Sequence, residues 1–289
     1  MPSEGILSVV GTPIGNLSDA SPRVLDVLAR ADVILCEDTR VTGKLLSAFG
    51  IHVSMQRCDE NVMAERIAPT LTRIAAGERV AFVSDAGMPG VSDPGQRLVD
   101  AALDAGLPVE VVPGPSAVTC AVAASGIACE HFFFEGFLPR RRAAQLERLR
   151  ELTAIPGALV VYESPRRVSA TLAVVAEVMP ARRVALVREL TKVHEEVVRD
   201  VAPALAQTVA DRDEIRGECV LVIAPPTDAE RDARRQATSD VAGLTLDEAI
   251  RRGLAQGEPK TALARHLARS FSLGRAEVYD RVVELAAEG

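Results

Sequence analysis

Two short apolar runs in this chain each end in a loop built of glycine and proline, and that pairing narrows the fold more than any other feature. Val80-Ala81-Phe82-Val83 leads into Ser84-Asp85-Ala86-Gly87-Met88-Pro89-Gly90-Val91-Ser92-Asp93-Pro94-Gly95. Val109-Glu110-Val111-Val112 leads into Pro113-Gly114-Pro115-Ser116-Ala117. A β-branched run of about four residues with a turn cluster behind it reads as a buried parallel strand. In open α/β sheets, ligands bind beyond the carboxyl ends of the strands, where both loops fall. Loops so rich in Gly and Pro are stiff and short of side chains, so their backbone amides and carbonyls can approach a ligand closely. The expected molecule is an α/β enzyme with a preformed small-molecule pocket.

Length and composition set the frame for that pocket. A chain of 289 residues holds one large or two medium domains with an ample core. Hydrophobic residues make up 48%, yet no uncharged apolar stretch approaches the roughly 18 residues of a membrane span. Met1–Gly5 lacks the basic start of a signal peptide. The five cysteines are scattered without a CxxC pair, which reads as buried free thiols in a cytosolic protein and no metal site. The net charge of −7 argues against a protein that coats nucleic acid. The charge is uneven: residues 1–120 carry 15 acidic and 9 basic groups, whereas residues 121–226 carry 14 of each.

Strand-like and helix-like segments alternate. Strands are expected at 6–10, 32–36, 80–83 and 108–112, with helices at 44–49, 63–76, 96–105 and 116–125 and one opened by Ser21-Pro22. The Phe-rich stretch at 132–139 marks the crossing into a second α/β domain, with strands at 158–162, 183–187, 195–198 and 219–224. Helices at 140–152, 165–178 and 201–210 accompany them. The polar, charged stretch 227–240 reads as a linker. Three helices follow, the first opened by the capping-box spacing of Thr245 and Glu248. The expected division is an N-terminal α/β domain at 1–128, a C-terminal α/β domain at 129–226, the linker, and a helical module at 241–289 resembling a helix-turn-helix. Gly11–Leu17 has the look of a phosphate loop but lacks the Gly-Lys-Ser/Thr ending, which excludes an NTPase.

Six motifs recur in order: Gly11–Leu17, Glu37-Asp38-Thr39-Arg40, Ser84–Gly95, Pro113–Ala117, Tyr162-Glu163-Ser164-Pro165-Arg166-Arg167 and Arg188-Glu189-Leu190-Thr191-Lys192. Together they resemble the ribosomal RNA small subunit methyltransferase I family of the tetrapyrrole methylase superfamily, over roughly residues 5–225. The resemblance implies two α/β domains with S-adenosylmethionine bound in the cleft between them, and a homodimer. It also implies 2′-O-methylation of a cytidine in the decoding region of 16S rRNA, on the assembled small subunit. By resemblance, Ser84, Asp85, Ala86, Gly87 and Val91 wrap the donor, Ser116 and Ala117 form a second donor loop, and Tyr162 and Leu190 either face the donor from the second domain or pack in the core. Asp85 would hydrogen-bond the donor, orient the substrate or merely brace a turn; Asp93 would cap the following helix or serve the site. Ser116 would be an N-cap, an anion site at a helix N-terminus, or both. Two rival readings remain: a tetrapyrrole C-methyltransferase on the same scaffold, and a non-catalytic nucleic-acid-binding regulator using the helical tail.

Methyl transfer to a ribose hydroxyl needs a positioned nucleophile and gains from a general base. Asp38 and Arg40 follow a strand end, and Glu163, Glu189 and Lys192 face them from the second domain if the strands run as read. Asp38 and Arg40 could equally form a structural ion pair, and the residues alone do not choose the base. For RNA, Arg140, Arg141 and Arg142 form a basic patch, Arg166 and Arg167 open another helix, and Arg188 lies near the implied cleft.

Overall fold

Strands and helices alternate along this chain because its apolar spacing alternates, and the computed structural model shows the result for residues 5–91, 95–239, 243–271 and 273–287. The described residues fall into two compact units divided at Pro225/Pro226. The first unit opens with β1 (Ile6–Val10), α1 (Pro22–Ala29), β2 (Val33–Cys36), α2 (Thr39–Ala48), β3 (Met55–Arg57), α3 (Met63–Ala75), β4 (Arg79–Val83), α4 (Gly95–Asp104), β5 (Val109–Val112) and α5 (Ala117–Ser125). The five strands form one sheet in the order β3-β2-β4-β1-β5, parallel throughout. β2 is buried at every position, and β1 and β4 at all but their first, as strands covered by helices on two faces must be. β4, β1 and β5 are neighbours, so the loops that follow them emerge side by side at one edge.

Those loops touch closely enough to require glycine. A Cβ on Gly114 would lie 2.7 Å from the Cα of Gly11, backbone against backbone. Gly87, at φ 83°, exchanges backbone hydrogen bonds with Thr12 at 2.9 and 3.1 Å, which ties the β4 loop to the β1 loop.

The second half of this unit contains β6 (Phe132–Phe137), α6 (Arg142–Leu152), β7 (Ala158–Glu163), α7 (Val168–Val178), β8 (Arg183–Arg188), β9 (Glu196–Val201), α8 (Ala202–Ala210) and β10 (Cys219–Ile223). Its sheet runs β6-β7-β10-β8-β9 and is mixed: only β6 and β7 are parallel. A bulge at Glu135 and Gly136 shifts the β6 register, with Gly136 at φ 74°. One face of this sheet packs on α6, α7 and α8 around Leu149, Leu172 and Leu205. Its other face receives α5, with Val118 and Ala121 set against Val160, Ala185, Val187 and Val222. Helix α5 thus joins the two sheets through an apolar seam.

The second unit comprises α9 (Asp228–Ser239), α10 (Leu246–Ala255), α11 (Lys260–Ser270) and α12 (Arg275–Ala287). The stretch expected to be a linker is helical over α9, opened by Thr227, whose hydroxyl accepts from Glu230 N while Glu230 accepts from Thr227 N. The capping box of Thr245 and Glu248 opens α10 as expected, and Ile250, Leu263, Leu267, Val278 and Val282 form the core. No described helix is long and apolar enough to cross a membrane.

Candidate functional site

A cavity of about 510 Å³ opens where the carboxyl ends of β4, β5 and β7 meet the start of β10. Its first wall comes from the β4 loop, through Ser84, Asp85, Ala86, Gly87, Met88 and Val91, and from Ser116 and Ala117 at the start of α5. Ile14 and Glu37 complete that wall. The opposing wall is Phe137, Tyr162 to Pro165, and Glu218 to Val220. Eight of the nine residues expected around a donor therefore line one space. The ninth, Leu190, does not: it is buried in the apolar cluster with Ile14, Val118 and Val187. Asp93 lies outside the described residues.

The first wall keeps polar groups in hand. Ser116 stands in an extended conformation before α5 and makes no side-chain capping bond, so the first amides of that helix are not taken by its hydroxyl. The Ser84 hydroxyl reaches the carbonyls of Ala86 and Gly87, each at 3.4 Å, and holds the loop curled. Asp85 is tied to the β2–α2 junction: its Oδ1 accepts from Asp38 N at 3.0 Å, while its own N donates to Glu37 Oε1 at 3.2 Å. Burial pushes the Asp85 carboxyl above its ordinary value, against the lowering effect of the Asp38 amide.

Asp38 itself is occupied. It caps α2 by accepting from Arg40 N at 2.8 Å, and the Arg40 guanidinium grips it at 2.6 Å. That guanidinium holds the Asp38 carboxyl well below the usual carboxylate range. Neither residue lines the cavity.

The second wall is similarly committed. The Glu163 side chain is fully buried, accepts from Ser164 N at 2.8 Å and Thr171 Oγ1 at 2.6 Å, and pairs with Arg167 at 3.3 Å. Gln145 in turn donates to Thr171. Glu189 takes Lys192 Nζ at 2.9 Å and Glu218 N at 2.9 Å, and these hydrogen bonds, Lys192 first, lower its carboxyl. Glu189 and Thr191 hold φ values of 52° and 64°, a left-handed backbone rare for a β-branched residue. The turn they make backs onto Gly15, where a Cβ would meet Lys192 Cγ at 2.5 Å. Of the five catalytic candidates only Glu163 lines the cavity, and its carboxylate is consumed internally. Cys219 also lines it, and burial pushes its thiol up to about 11, which keeps it protonated and inert. Tyr162 packs edge-on against Phe134 and Phe137, at 4.8 and 5.7 Å between ring centres.

The arginines separate into two groups. Arg142 pairs with Glu177 at 2.6 Å, Arg167 with Glu163, and Arg188 with Glu196 at 3.1 Å. Arg140, Arg141 and Arg166 are exposed and make no ion pair among the described residues. No group of three or more metal-ligating side chains occurs among the described residues.

Glu218, Cys219 and Val220, at the start of β10, carried no signal for the site in the sequence. Sequence reasoning looked for site residues after the carboxyl ends of strands, and β10 runs the other way. Antiparallel pairing puts Cys219 opposite Glu163 and Val220 opposite Tyr162, so the start of β10 sits at the end of β7.

A parallel sheet, a mixed sheet and a cavity between them define a class. The sequence matches the profile described as Tetrapyrrole (Corrin/Porphyrin) Methylases over residues 7–206, so the chain belongs to that family. The chain is 38% identical over 285 residues to a protein of Mesorhizobium japonicum named ribosomal RNA small subunit methyltransferase I, covering 98% of this chain and 93% of that one. A protein of the same name from Mycobacterium tuberculosis is 46% identical over 225 residues, 77% of this chain and 78% of its own length. Among solved structures, uroporphyrin-III C-methyltransferase from Thermus thermophilus complexed with S-adenyl homocysteine superimposes with a TM-score of 0.54 at 20% identity, over 76% of this chain and 97% of that one. At that identity the likeness is one of fold.

Proposed function

We propose that this protein transfers the methyl group of S-adenosylmethionine to the 2′-hydroxyl of a cytidine in the decoding region of 16S rRNA, within the assembled small subunit, as a cytoplasmic homodimer. The observation that carries the reading is the cavity itself, which gathers the β4 loop and the start of α5 into one wall. Its chemistry suits the donor. The start of α5, which Ser116 does not cap, matches an amino-acid carboxylate. The acidic edge at Asp85 and Glu37 matches a cationic sulfonium, and Ile14, Val91, Ala117 and Val220 give an apolar bed for the rest. The donor residues are then Ser84, Asp85, Ala86, Gly87, Val91, Ser116, Ala117 and Tyr162, and the bound donor supplies an electrophilic methyl group. The names of relatives similar to this chain over most of its length support rRNA as the acceptor.

The test is transfer of labelled methyl from S-adenosylmethionine to unmodified small subunits, with naked rRNA and uroporphyrinogen alongside. Label in a ribose 2′-O position of 16S rRNA is the expected result, and label in the macrocycle alone overturns it. For RNA binding, the exposed arginines carry the expectation. Replacing Arg140 and Arg141 by Glu should weaken subunit binding and flatten its salt dependence, by about one unit of slope for each phosphate left unneutralised. Arg142→Glu should do less, because Arg142 is already paired with Glu177. Equal effects at all three positions would remove the distinction.

A further inference from the structure

A second recess of about 240 Å³ adjoins the donor cavity, and the two share only Ser84 and Asp85. The wall between them is the loop after β1. Ile14 faces the larger cavity, while its neighbours Pro13 and Gly15 face the smaller one. The far wall of the recess is the first part of α2, including Val41 and Lys44. Lys44 is exposed and makes no ion pair among the described residues. Leu17 and Val41, 48% and 41% exposed, put apolar surface at its rim.

We propose that this recess receives the acceptor nucleotide, that Asp85 takes the proton from its 2′-hydroxyl, and that Lys44 meets a neighbouring phosphate. The inference rests on the methyl-transfer reading above and goes further by naming the acceptor subsite and the base. Among the described residues Asp85 is the one carboxylate that borders both spaces. Its Oδ1 is held by Asp38 N, and its other oxygen takes no hydrogen bond among the described residues. The three carboxylates expected as catalytic candidates are engaged: Asp38 by Arg40, Glu163 by Thr171 and Arg167, Glu189 by Lys192. Glu37 borders the donor cavity alone.

The step balances without another reactant. As the 2′-O–H bond breaks, its proton moves to Asp85 and the oxygen's electron pair forms a bond to the methyl carbon. The carbon–sulfur bond breaks with its pair going to sulfur, so the cationic sulfonium becomes a neutral thioether. Asp85 then returns its proton to solvent. The apolar rim offers a surface for a splayed base, and an unpaired lysine suits a phosphate as a point charge.

The experiment uses the full chain and unmodified small subunits. Asp85→Asn keeps the shape and the acceptor for Asp38 N, and S-adenosylhomocysteine carries no charge on sulfur. Calorimetric affinity for S-adenosylhomocysteine, which lacks the charge Asp85 faces in the donor, should therefore stay within about threefold, while single-turnover methylation at saturating S-adenosylmethionine falls by roughly a hundredfold or more. Asp85→Glu, which restores a carboxylate, should recover part of the rate. The wild-type rate should rise with pH on an acidic limb above the ordinary aspartate range, and Asp85→Asn should lose that limb. The charged and titratable groups around Asp85 are Cys36, Glu37, Asp38 and Arg40 at the β2–α2 junction and Lys44 farther along α2. Lys44→Gln should leave S-adenosylhomocysteine affinity alone and reduce the salt slope of subunit binding by about one. Methylation by Asp85→Asn within threefold of wild type overturns the base, as does a parallel loss of S-adenosylhomocysteine affinity. An unchanged salt slope in Lys44→Gln removes the phosphate contact. Failure of the wild type itself to methylate subunits is a different result, and it sinks the function on which the inference rests.

Discussion

Asp85 and Glu163 are carboxylates on opposite walls of one cavity, and the protein treats them oppositely. Asp85 sits on a glycine-rich loop after a parallel strand, with one oxygen held by a backbone amide and the other unclaimed among the described residues. Glu163 ends β7, where Ser164 N, Thr171 and Arg167 take up its carboxylate in full burial. The same contrast runs through the two halves. The first wall leaves the start of α5 without a cap from its own Ser116 hydroxyl. Behind the second wall, the mixed half binds charges to one another, as in Glu189 with Lys192 and Glu196 with Arg188 and Arg212. A carboxylate beside a cavity is thus chemically available only if the fold has not already used it. The parallel half is built to act, and the mixed half is built to hold a surface in place.

The most severe way to break that contrast is to remove Glu163. Glu163→Ala takes the buried acceptor from Ser164 N and Thr171 Oγ1 and one partner from Arg167, and unfolding in denaturant should show a loss of about 3 kcal/mol. A loss below about 1 kcal/mol would mean that Glu163 is as available as Asp85, and the two walls would no longer differ. Next in size is Gly114→Ala. Its new Cβ would meet backbone atoms of Gly11 at 2.6 to 2.7 Å, and backbone cannot rotate aside. A destabilisation of about 1–3 kcal/mol is expected, together with weaker S-adenosylhomocysteine binding, because β1 and β5 loops must separate beside Ser116 and Ala117. Unchanged ligand affinity in that variant would show that the crossing of the two loops shapes the core but not the cavity.

Much of this was legible in the sequence, and the reasons for the rest are physical. β1, β2 and β4 announce themselves because strands buried on both faces are continuous apolar runs, whereas β5 is an edge strand with only Val112 buried and shows through its β-branched valines. β3 gave no such signal: Met55–Arg57 is three residues long, half-exposed, and at the edge of its sheet. α9 read as a linker because its Asp, Glu, Arg and Gln residues give it no apolar stripe. Its first turn is instead supported by local pairs such as Arg231 with Asp228 at 2.6 Å. The donor loops were legible because glycine and proline encode backbone shape directly. Which carboxylate is spare was not, since that depends on partners distant in sequence. Thr171 is eight residues from Glu163, and Asp38 is 47 from Asp85. Of the two places open to Leu190, facing the donor or packing in the core, its side chain takes the second and joins the apolar seam.

The smallest effect sharpens the comparison most, because it sets one residue type against itself. Ser21 and Ser116 both precede a helix in extended backbone conformation, at φ −69° and −133°. The Ser21 hydroxyl accepts from Val24 N at 3.2 Å and closes the first turn of α1, whereas Ser116 makes no such bond to α5. Ser21→Ala should therefore lower stability by about 1 kcal/mol, equally with and without S-adenosylhomocysteine. Ser116→Ala should change the stability of the unliganded protein by less than about 0.5 kcal/mol, the range of a substitution that removes no native bond. Its cost should emerge only when ligand is added, as a reduced upward shift of the melting temperature, since a ligand stabilises by what it gains from the folded state alone. If Ser116→Ala instead weakened the free protein as much as Ser21→Ala does, the start of α5 would be an ordinary capped helix. The ligand's carboxylate would then need another partner in the cavity. Should the two serines separate as expected, α5 is a helix whose first amides were left open for something other than its own side chain.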